Sequence, residues 1–226
     1  VLIDVGSFGM RRPLLKQLQA RGVQPDQITD VVLTHAHYDH SVNFTLFPQA
    51  RVWIGAAEIE WAAAQEPGFD PLPELYVREL ASSPRVTRLS DGDEPVAGLR
   101  AIAAPGHTPG HLIFLLETAD QRVLFTGDAA KNRAELLSRD VDLTEDRAQS
   151  QRTLDLIWSI WRARSDTLLV PGHDLCMQLD EAGRIVYQGE RQAAIAAWFS
   201  ETLSEMSTFR LNAESAWHQG YREPAR

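Results

Sequence analysis

The chain has 226 residues, of which 44% are hydrophobic, with a formal net charge of -9 and a pI near 5.2. This length and composition can bury a sizeable core and fit one large domain better than two. The acidic balance argues against a nucleic-acid surface, which needs clustered Lys and Arg to neutralise phosphates. The single Cys excludes an intramolecular disulfide, and the apolar runs are shorter than the roughly 18 residues that a membrane span needs. We therefore expect a cytoplasmic protein that binds neither nucleic acid nor membrane.

Strand and helix signals alternate along the chain. The predicted elements are a helix over residues 14–20, a strand over 30–33, a short helix over 42–47, a strand over 51–54, helices over 56–65 and 74–82, and a strand-rich stretch over 86–125. Three Pro and one Gly within residues 66–73 predict a loop. This order favours a layered α/β domain.

Two apolar stripes predict amphipathic helices in the second half of the chain. Leu154, Ile157, Trp158 and Trp161 recur at i, i+3, i+4 and i+7, the pattern of a helix packed on a sheet. A similar stripe predicts a C-terminal helix, followed by a tail, within residues 189–226. Its members are Ile195, Trp198, Phe199, Thr202 and Leu203.

Residues 34–40 carry the strongest chemical signal, because three imidazoles and one carboxylate directly follow the apolar run 31–33. The candidates are His35, His37, Asp39 and His40. Neutral imidazole and carboxylate are preferred ligands of a borderline metal such as Zn²⁺, and a loop that leaves a strand can aim several of them at one point. This motif predicts a metal site.

Further candidate ligands lie in three later motifs. His107 stands in a Pro-Gly-His-Thr-Pro-Gly-His segment, Asp128 in a Gly-Asp pair and His173 in a Gly-His pair. Each adjoins an apolar segment (99–104, 123–125 and 167–170) that is typical of a strand ending in a tight turn. His218 lies outside these motifs, and we predict a solvated side chain there.

The ordered set of motifs resembles the metallo-β-lactamase superfamily over residues 1–174. The resemblance implies one metal bound by His35, His37 and His107, a second bound by Asp39, His40 and His173, and Asp128 as the bridge between them. Three further groups, His111, Asp4 and Thr34, would orient these ligands. For His111, a role as a buried strand residue stays equally open.

The resemblance also implies the fold, an αββα sandwich of two mixed β-sheets flanked by helices. We expect a single domain over residues 1–226, with the C-terminal helix and tail over 189–226. In the family an N-terminal β-hairpin usually precedes the strand that begins at Val1, so the first strands and any targeting segment would lie before Val1.

The implied activity is metal-dependent hydrolysis. Two divalent ions, Zn²⁺ in the first place and Fe or Mn as alternatives, lower the pKa of a shared water from about 15.7 toward about 7, and the bridging hydroxide attacks a carbonyl carbon. Asp39 and Asp128 are the candidate catalytic carboxylates, and Asp39 also steers the proton.

The substrate is predicted less sharply, because many chemistries share this fold. The motifs look nearest to N-acyl-homoserine lactonases and glyoxalase II-like thioesterases. Lys131 stands where the lactonases carry Tyr, and Leu175 stands where glyoxalase II commonly carries an aromatic residue. Lys131 and Arg133 could anchor an anionic substrate or form a solvated loop, and Trp61 with Phe69 would supply an apolar rim. We therefore predict a small-molecule ester, lactone or thioester hydrolase.

Three alternatives remain open. An iron-dependent persulfide dioxygenase has the same fold, and these ligand types also suit Fe. A class B β-lactamase is a weaker alternative, because those enzymes generally lack the bridging Asp. The third alternative, a non-catalytic binding module, is disfavoured because the set of candidate metal ligands is complete. Self-association as a homodimer is left open.

Overall fold

The computed structural model describes residues 1–69, 71–190, 194–198, 201 and 206–210. The chain divides into two compact units, Val1–Gln188 and Gly189–Arg226. The first unit contains all the predicted metal ligands. No helix in the described ranges is long and apolar enough to cross a membrane.

The first sheet has four strands that pair in parallel in the order β1-β2-β3-β4. They are β1 (Leu2–Ile3), β2 (Asp30–Val32), β3 (Arg51–Gly55) and β4 (Val86–Leu89). The helices of this half are α1 (Arg11–Ala20), α2 (Tyr38–Ser41), α3 (Ala56–Ala63) and α4 (Glu74–Ser82), with short 3₁₀ turns at Phe8–Met10, Pro25–Gln27 and Val42–Leu46.

The second sheet has six strands in the order β10-β9-β8-β7-β6-β5. They are β5 (Leu99–Ala103), β6 (Leu112–Glu117), β7 (Arg122–Gly127), β8 (Leu168–Pro171), β9 (Met177–Leu179) and β10 (Ile185–Tyr187). Neighbours are antiparallel except β7 and β8, which are parallel. A 3₁₀ turn (Asp128–Ala130) follows β7, and the helices are α5 (Arg133–Ser138) and α6 (Arg147–Arg162).

Side chains that alternate between the two faces of each sheet build the core. Val31 of β2 packs in a cluster with helices α1, α3 and α4, whereas Val32 packs between the sheets. In β6, Ile113 packs in a cluster with α6, whereas Phe114 faces the first sheet. Helices, two sheets and helices are therefore stacked, and the predicted αββα sandwich is confirmed. Among the described strands only the second sheet is mixed.

Helix α6 shows how a sequence pattern produces this packing. Asp146 caps its first turn by accepting a hydrogen bond from the Gln149 backbone N–H at 2.9 Å. The predicted stripe is buried along one face, and the Trp161 side chain, fully buried, donates from Nε1 to the Thr167 carbonyl at 3.0 Å. This helix closes the outer face of the second sheet.

The predicted elements of the first half are close to the observed ones. Helix α1 begins three residues before the predicted start, with Pro13 in its first turn, where a missing N–H costs little. The predicted short helix over 42–47 is the 3₁₀ turn Val42–Leu46. Strands β9 and β10, with three residues each, and helix α5 were not predicted, because such short runs show no clear periodicity.

The predicted C-terminal helix is wrong where the structure describes it. Ile195 and Trp198 lie in strand β11 (Ala194–Trp198), which pairs antiparallel with β12 (Met206–Arg210). A short apolar run fits the period of a helix and that of a strand equally well. Here Ile195 lies opposite Phe209 in the antiparallel pairing of β11 with β12. The other members of the stripe, Phe199, Thr202 and Leu203, lie outside the described residues, as does His218. The extent of a single domain over 1–226 stays a prediction.

Candidate metal centre

The ends of four strands, together with one loop and one short helix, bring the candidate ligands and Asp4 to one place. Residues 34–37 follow β2, Asp128 follows β7 and His173 follows β8, while Asp4 follows β1. His107 lies in the loop between β5 and β6, and α2 carries Asp39 and His40. Because strands that run parallel end at the same edge of a sheet, side chains that follow them in sequence become neighbours in space.

Asp4 fixes the start of the segment 34–40, which carries four candidate ligands. Its Oδ1 accepts a hydrogen bond from the Thr34 N–H at 2.8 Å, and its Oδ2 accepts one from Thr34 Oγ1 and one from His40 Nδ1, each at 2.8 Å. Thr34 Oγ1 also lies 2.9 Å from His35 Nδ1. Asp4 has a φ of 51°, which non-glycine residues seldom adopt. These contacts direct Nε2 of both histidines away from Asp4, as metal-binding imidazoles require.

The first ligand group consists of His35, His37 and His107. One ligand atom of each lies within 4.8 Å of the others, and all three side chains are buried. His107 Nε2 lies 3.0 Å from His37 Nδ1. His107 Nδ1 donates to the Leu143 carbonyl at 2.9 Å, which leaves its Nε2 lone pair facing the group.

The second ligand group consists of Asp39, His40 and His173, again within 4.8 Å of one another. Asp39 Oδ2 lies 3.6 Å from His40 Nε2 and 3.4 Å from His173 Nε2. This group is more open than the first, because the side chain of His173 is 45% exposed and that of Asp39 is 29% exposed.

The Asp128 carboxylate lies between the two groups. Its Oδ1 is 3.2 Å from Nε2 of both His40 and His173, and its Oδ2 is 3.4 Å from His107 Nε2. The Asp128 backbone N–H donates to His111 Nε2 at 3.1 Å. His111 is buried, and its ring stacks on His35 at 4.9 Å between centroids, so it is both a core residue and a hydrogen-bond partner of the Asp128 backbone.

Unpaired polar atoms at this point fit a cation. The buried Nε2 atoms of His35, His37 and His40, and Oδ1 of Asp128, have no hydrogen-bond partner among the residues that the structure describes. Leaving several buried polar atoms unpaired is costly unless a ligand binds them. A set of imidazole nitrogens and carboxylate oxygens suits Zn²⁺, Fe or Mn.

The first group is held in the state that binds metal. Burial lowers the pKa of His37 to about 3, with a further lowering by His107, and burial lowers the pKa of His107 to about 4. The pKa of fully buried His35 lies well below its ordinary value for the same reason. These imidazoles are neutral at pH 7, and a metal binds them without displacing a proton.

The second group has the opposite electrostatics. Burial opposes protonation of His40, but the carboxylates of Asp4 and Asp128 raise its pKa well above the ordinary value. The Asp128 carboxylate, 3.2 Å away, raises the pKa of His173. Burial acts to raise the pKa of Asp128, but His173 and His40 outweigh it and lower that pKa well below its usual range. Asp128 is therefore ionised, and it can face either protonated histidines or metal ions.

Two cavities flank the ligands and share Asp39 and His173 in their walls. One, of about 430 Å³, has an apolar wall that includes Ile3, Met10 and Phe125, and it is also lined by polar residues such as Asp4 and Thr34. The other, of about 660 Å³, is lined by groups that include Lys131 and Leu143. A substrate in either cavity would reach the more open ligand group.

The predicted substrate-binding residues are distributed unequally. The Lys131 ammonium, in the wall of the larger cavity, pairs with Glu135 at 2.9 Å and donates to the Asp142 carbonyl at 2.7 Å. The Arg133 guanidinium lies 5.5 Å from the centroid of the Tyr187 ring. It is not among the described residues that line either cavity.

Trp61 and Phe69 form an edge-to-face pair with ring centroids 5.9 Å apart. The Trp61 ring lies 6.4 Å from that of His37. Both side chains are partly buried against the first core cluster, and neither is among the described residues in the cavity walls. Their predicted contact with substrate stays a prediction.

Two groups near the ligands were not predicted from the sequence. The carboxyl of Glu58, in α3, is completely buried, and burial raises its pKa to about 7. An acidic residue within the apolar run of this helix was the available signal. The Leu143 carbonyl, which accepts from His107, has no signal in the sequence, because any residue supplies a carbonyl.

A family model described as the metallo-beta-lactamase superfamily matches residues 1–173. The chain belongs to the metallo-β-lactamase superfamily. Its predicted class, a metal-dependent hydrolase, is confirmed at the level of this superfamily.

Two curated members of the superfamily illustrate the range of similarity. Metallo-beta-lactamase domain-containing protein 1 of Xenopus laevis is 27% identical over 195 residues, which cover 83% of this chain and 72% of that protein. An N-acyl homoserine lactonase of a Bacillus species is 32% identical over 115 residues. That match covers 50% of this chain and 43% of the lactonase, so the chain matches less than half the length of that relative.

Solved structures of the superfamily show the same fold. AidC, a dizinc quorum-quenching lactonase solved with a bound product, is similar at a TM-score of 0.68 and 17% identity, covering 84% of this chain and 75% of AidC. A probable metal-dependent hydrolase from Staphylococcus aureus gives a TM-score of 0.67 at 19% identity, covering 84% of this chain and 78% of that one.

Proposed function

We propose that the chain is a dinuclear metal hydrolase that cleaves an ester, lactone or thioester bond in a small molecule. The observation that carries the proposal is the Asp128 carboxylate, whose Oδ1 faces His40 and His173 while its Oδ2 faces His107. A single carboxylate between two ligand groups suits two cations that share it. The similarity to lactonases supports the carbonyl class of substrate.

The two ions, Zn²⁺ in the first place, would be held by the residues predicted from the sequence. The first would be bound by His35, His37 and His107, the second by Asp39, His40 and His173, and both by Asp128. Bound divalent ions lower the pKa of water from about 15.7 toward about 7 and polarise a carbonyl oxygen.

The protein itself supplies orientation and a route for the proton. The Asp128 side chain is buried and its backbone N–H donates to His111, so this residue is suited to hold the two ligand groups together. Asp39 is partly exposed and lies in the walls of both cavities, so its carboxylate can accept a proton and release it to a departing oxygen or sulfur.

The cavities suggest how a substrate would lie. The wall of Ile3, Met10 and Phe125 suits an apolar acyl portion, and the cavity that contains Lys131 suits a polar or anionic portion. Lys131 is therefore the proposed anchor, and its ammonium would contact both Glu135 and the substrate.

The cytoplasmic location of the protein and its self-association as a homodimer stay predictions.

Metal reconstitution followed by elemental analysis tests the proposal. We expect close to two equivalents of metal per chain, and hydrolysis of at least one substrate in a panel of lactones, thioesters and esters. Asp128→Ala should lower the metal content, and it should reduce the rate of hydrolysis by several orders of magnitude. Activity that survives with traces of metal would contradict the proposal, and oxygen consumption by an iron-loaded protein would favour a persulfide dioxygenase.

A further inference from the structure

Glu58 is a completely buried carboxyl that accepts three hydrogen bonds. Its Oε1 accepts from the Ala36 N–H at 2.8 Å, and its Oε2 accepts from Thr108 Oγ1 at 2.6 Å and from the Gly110 N–H at 3.2 Å. Among the described residues, no Lys or Arg forms an ion pair with it. A buried carboxyl without a cation is costly, and an apolar side chain would avoid that cost.

The three donors belong to the two loops that carry the first ligand group. Ala36 lies between His35 and His37, in the loop that follows β2 of the first sheet. Thr108 directly follows His107, in the loop between β5 and β6 of the second sheet. One carboxyl group therefore connects the two separate segments that must meet to form the first site.

The backbone contacts in this region are correspondingly close. A Cβ added at Gly110 would lie 1.9 Å from the Glu58 backbone nitrogen. The loop that carries His107 is thus pressed against the beginning of α3, and only glycine allows this approach. The position of Glu58 relative to both loops is fixed by packing and by hydrogen bonds.

We propose that Glu58 is a positioning residue that fixes His35, His37 and His107 in the geometry for binding the first metal. This inference rests on the proposed dinuclear site. A carboxylate is suited to the task because it offers acceptor oxygens to all three donors. A Gln of the same size offers one acceptor oxygen and an NH₂ group, which opposes an N–H donor such as that of Gly110.

The test measures metal affinity at each site separately. In a His173→Ala background, which disables the second site, Zn²⁺ titration of the metal-stripped protein against a chromophoric chelator reports the first site. There we expect Glu58→Gln to weaken Zn²⁺ binding by about 10- to 100-fold. In a His107→Ala background, which disables the first site, Glu58→Gln should leave Zn²⁺ affinity within about twofold. Selective weakening is a result that general destabilisation would not give.

Glu60→Gln is the matched control, because Glu60 lies two residues later in α3 with an exposed side chain that pairs with Arg88. It should change neither affinity. Equal affinity with and without Glu58→Gln in the His173→Ala background would overturn the role of Glu58 alone. Equal weakening in both backgrounds would also overturn it. A wild-type chain that binds no Zn²⁺ would instead overturn the proposed dinuclear site and, with it, this inference.

Discussion

Gly172 controls the position of the Asp128 carboxylate. A Cβ added at residue 172 would lie 2.2 Å from Asp128 Oδ1 and 2.8 Å from the Gly127 carbonyl oxygen. Ordinary contacts of a Cβ begin at 3.4 Å, so in Gly172→Ala the carboxylate oxygen must retreat by roughly 1 Å in a close-packed interior. Gly172 therefore allows β7 and β8 to end close enough for one carboxylate to face both ligand groups.

The expected loss follows from that displacement. Asp128 Oδ1 is 3.2 Å from Nε2 of both His40 and His173, so its displacement disturbs both contacts. A misplacement of about 1 Å costs on the order of 100-fold in rate, and overpacking costs about 1–3 kcal/mol of stability. We therefore expect kcat/KM to fall by about 100-fold and metal content to fall, while the fold persists.

The assay combines elemental analysis, kcat/KM for the best substrate of the hydrolysis panel, and thermal unfolding followed by circular dichroism. Gly9→Ala is the control, because a Cβ there would meet only Ser7 Oγ at 3.9 Å. The reasoning is refuted if Gly172→Ala holds two metals and matches Gly9→Ala in kcat/KM.

Three further predictions follow from individual side chains. In the metal-free protein, burial raises the Glu58 pKa from 4.5 to about 7. Because the unfolded chain releases this proton at lower pH than the folded one, the free energy of unfolding should fall by roughly 3 kcal/mol as pH rises from 4.5 through 7. Urea unfolding of wild type and Glu58→Gln across this window should show that difference, and parallel pH profiles would contradict it. Lys131→Ala should raise KM for an anionic substrate by an amount equivalent to about 1.5–3 kcal/mol and spare a neutral ester and the metal content, with Arg133→Ala measured beside it. An equal rise in KM for the anionic substrate and the neutral ester would indicate that Lys131 has only a structural role. Trp161→Ala should lower the free energy of unfolding by about 3–5 kcal/mol, because the side chain is fully buried, and a loss below about 1 kcal/mol in urea would argue against the packing of α6.

The sequence predicts the sandwich from local signals and fails where the signal is short. The run 31–33 and the run 112–116 are continuously apolar because β2 and β6 are covered on both faces. Strands such as β9, with only three residues, carry too little pattern to be distinguished from loops. The stripe through Ile195 and Trp198 was misassigned because the pairing of β11 with β12 is not visible in either segment alone.

The candidate ligands could be predicted because each lies in a short motif that follows a strand. Glu58 and the Leu143 carbonyl could not, since their contacts depend on the approach of segments far apart in the chain. Arg133 shows the converse. It is near Asp128 in sequence, but Asn132 caps α5 and the chain turns there, which places the guanidinium against Tyr187.

The difference in exposure between the two ligand groups predicts the order in which metals leave. The side chain of His173 is 45% exposed and that of Asp39 is 29% exposed, whereas His35, His37 and His107 are all buried. A chelator can reach Asp39 and His173 from either cavity. His37 and His107 line only the larger cavity, each with 6% of its surface exposed, and His35 lines neither cavity. We therefore expect biphasic metal release, with one equivalent lost at least about tenfold faster than the other. His173→Ala should abolish the fast phase and leave the slow one. Release of both equivalents in a single phase from the wild-type protein would mean that the two sites open together, and that exposure does not control the exchange of metal.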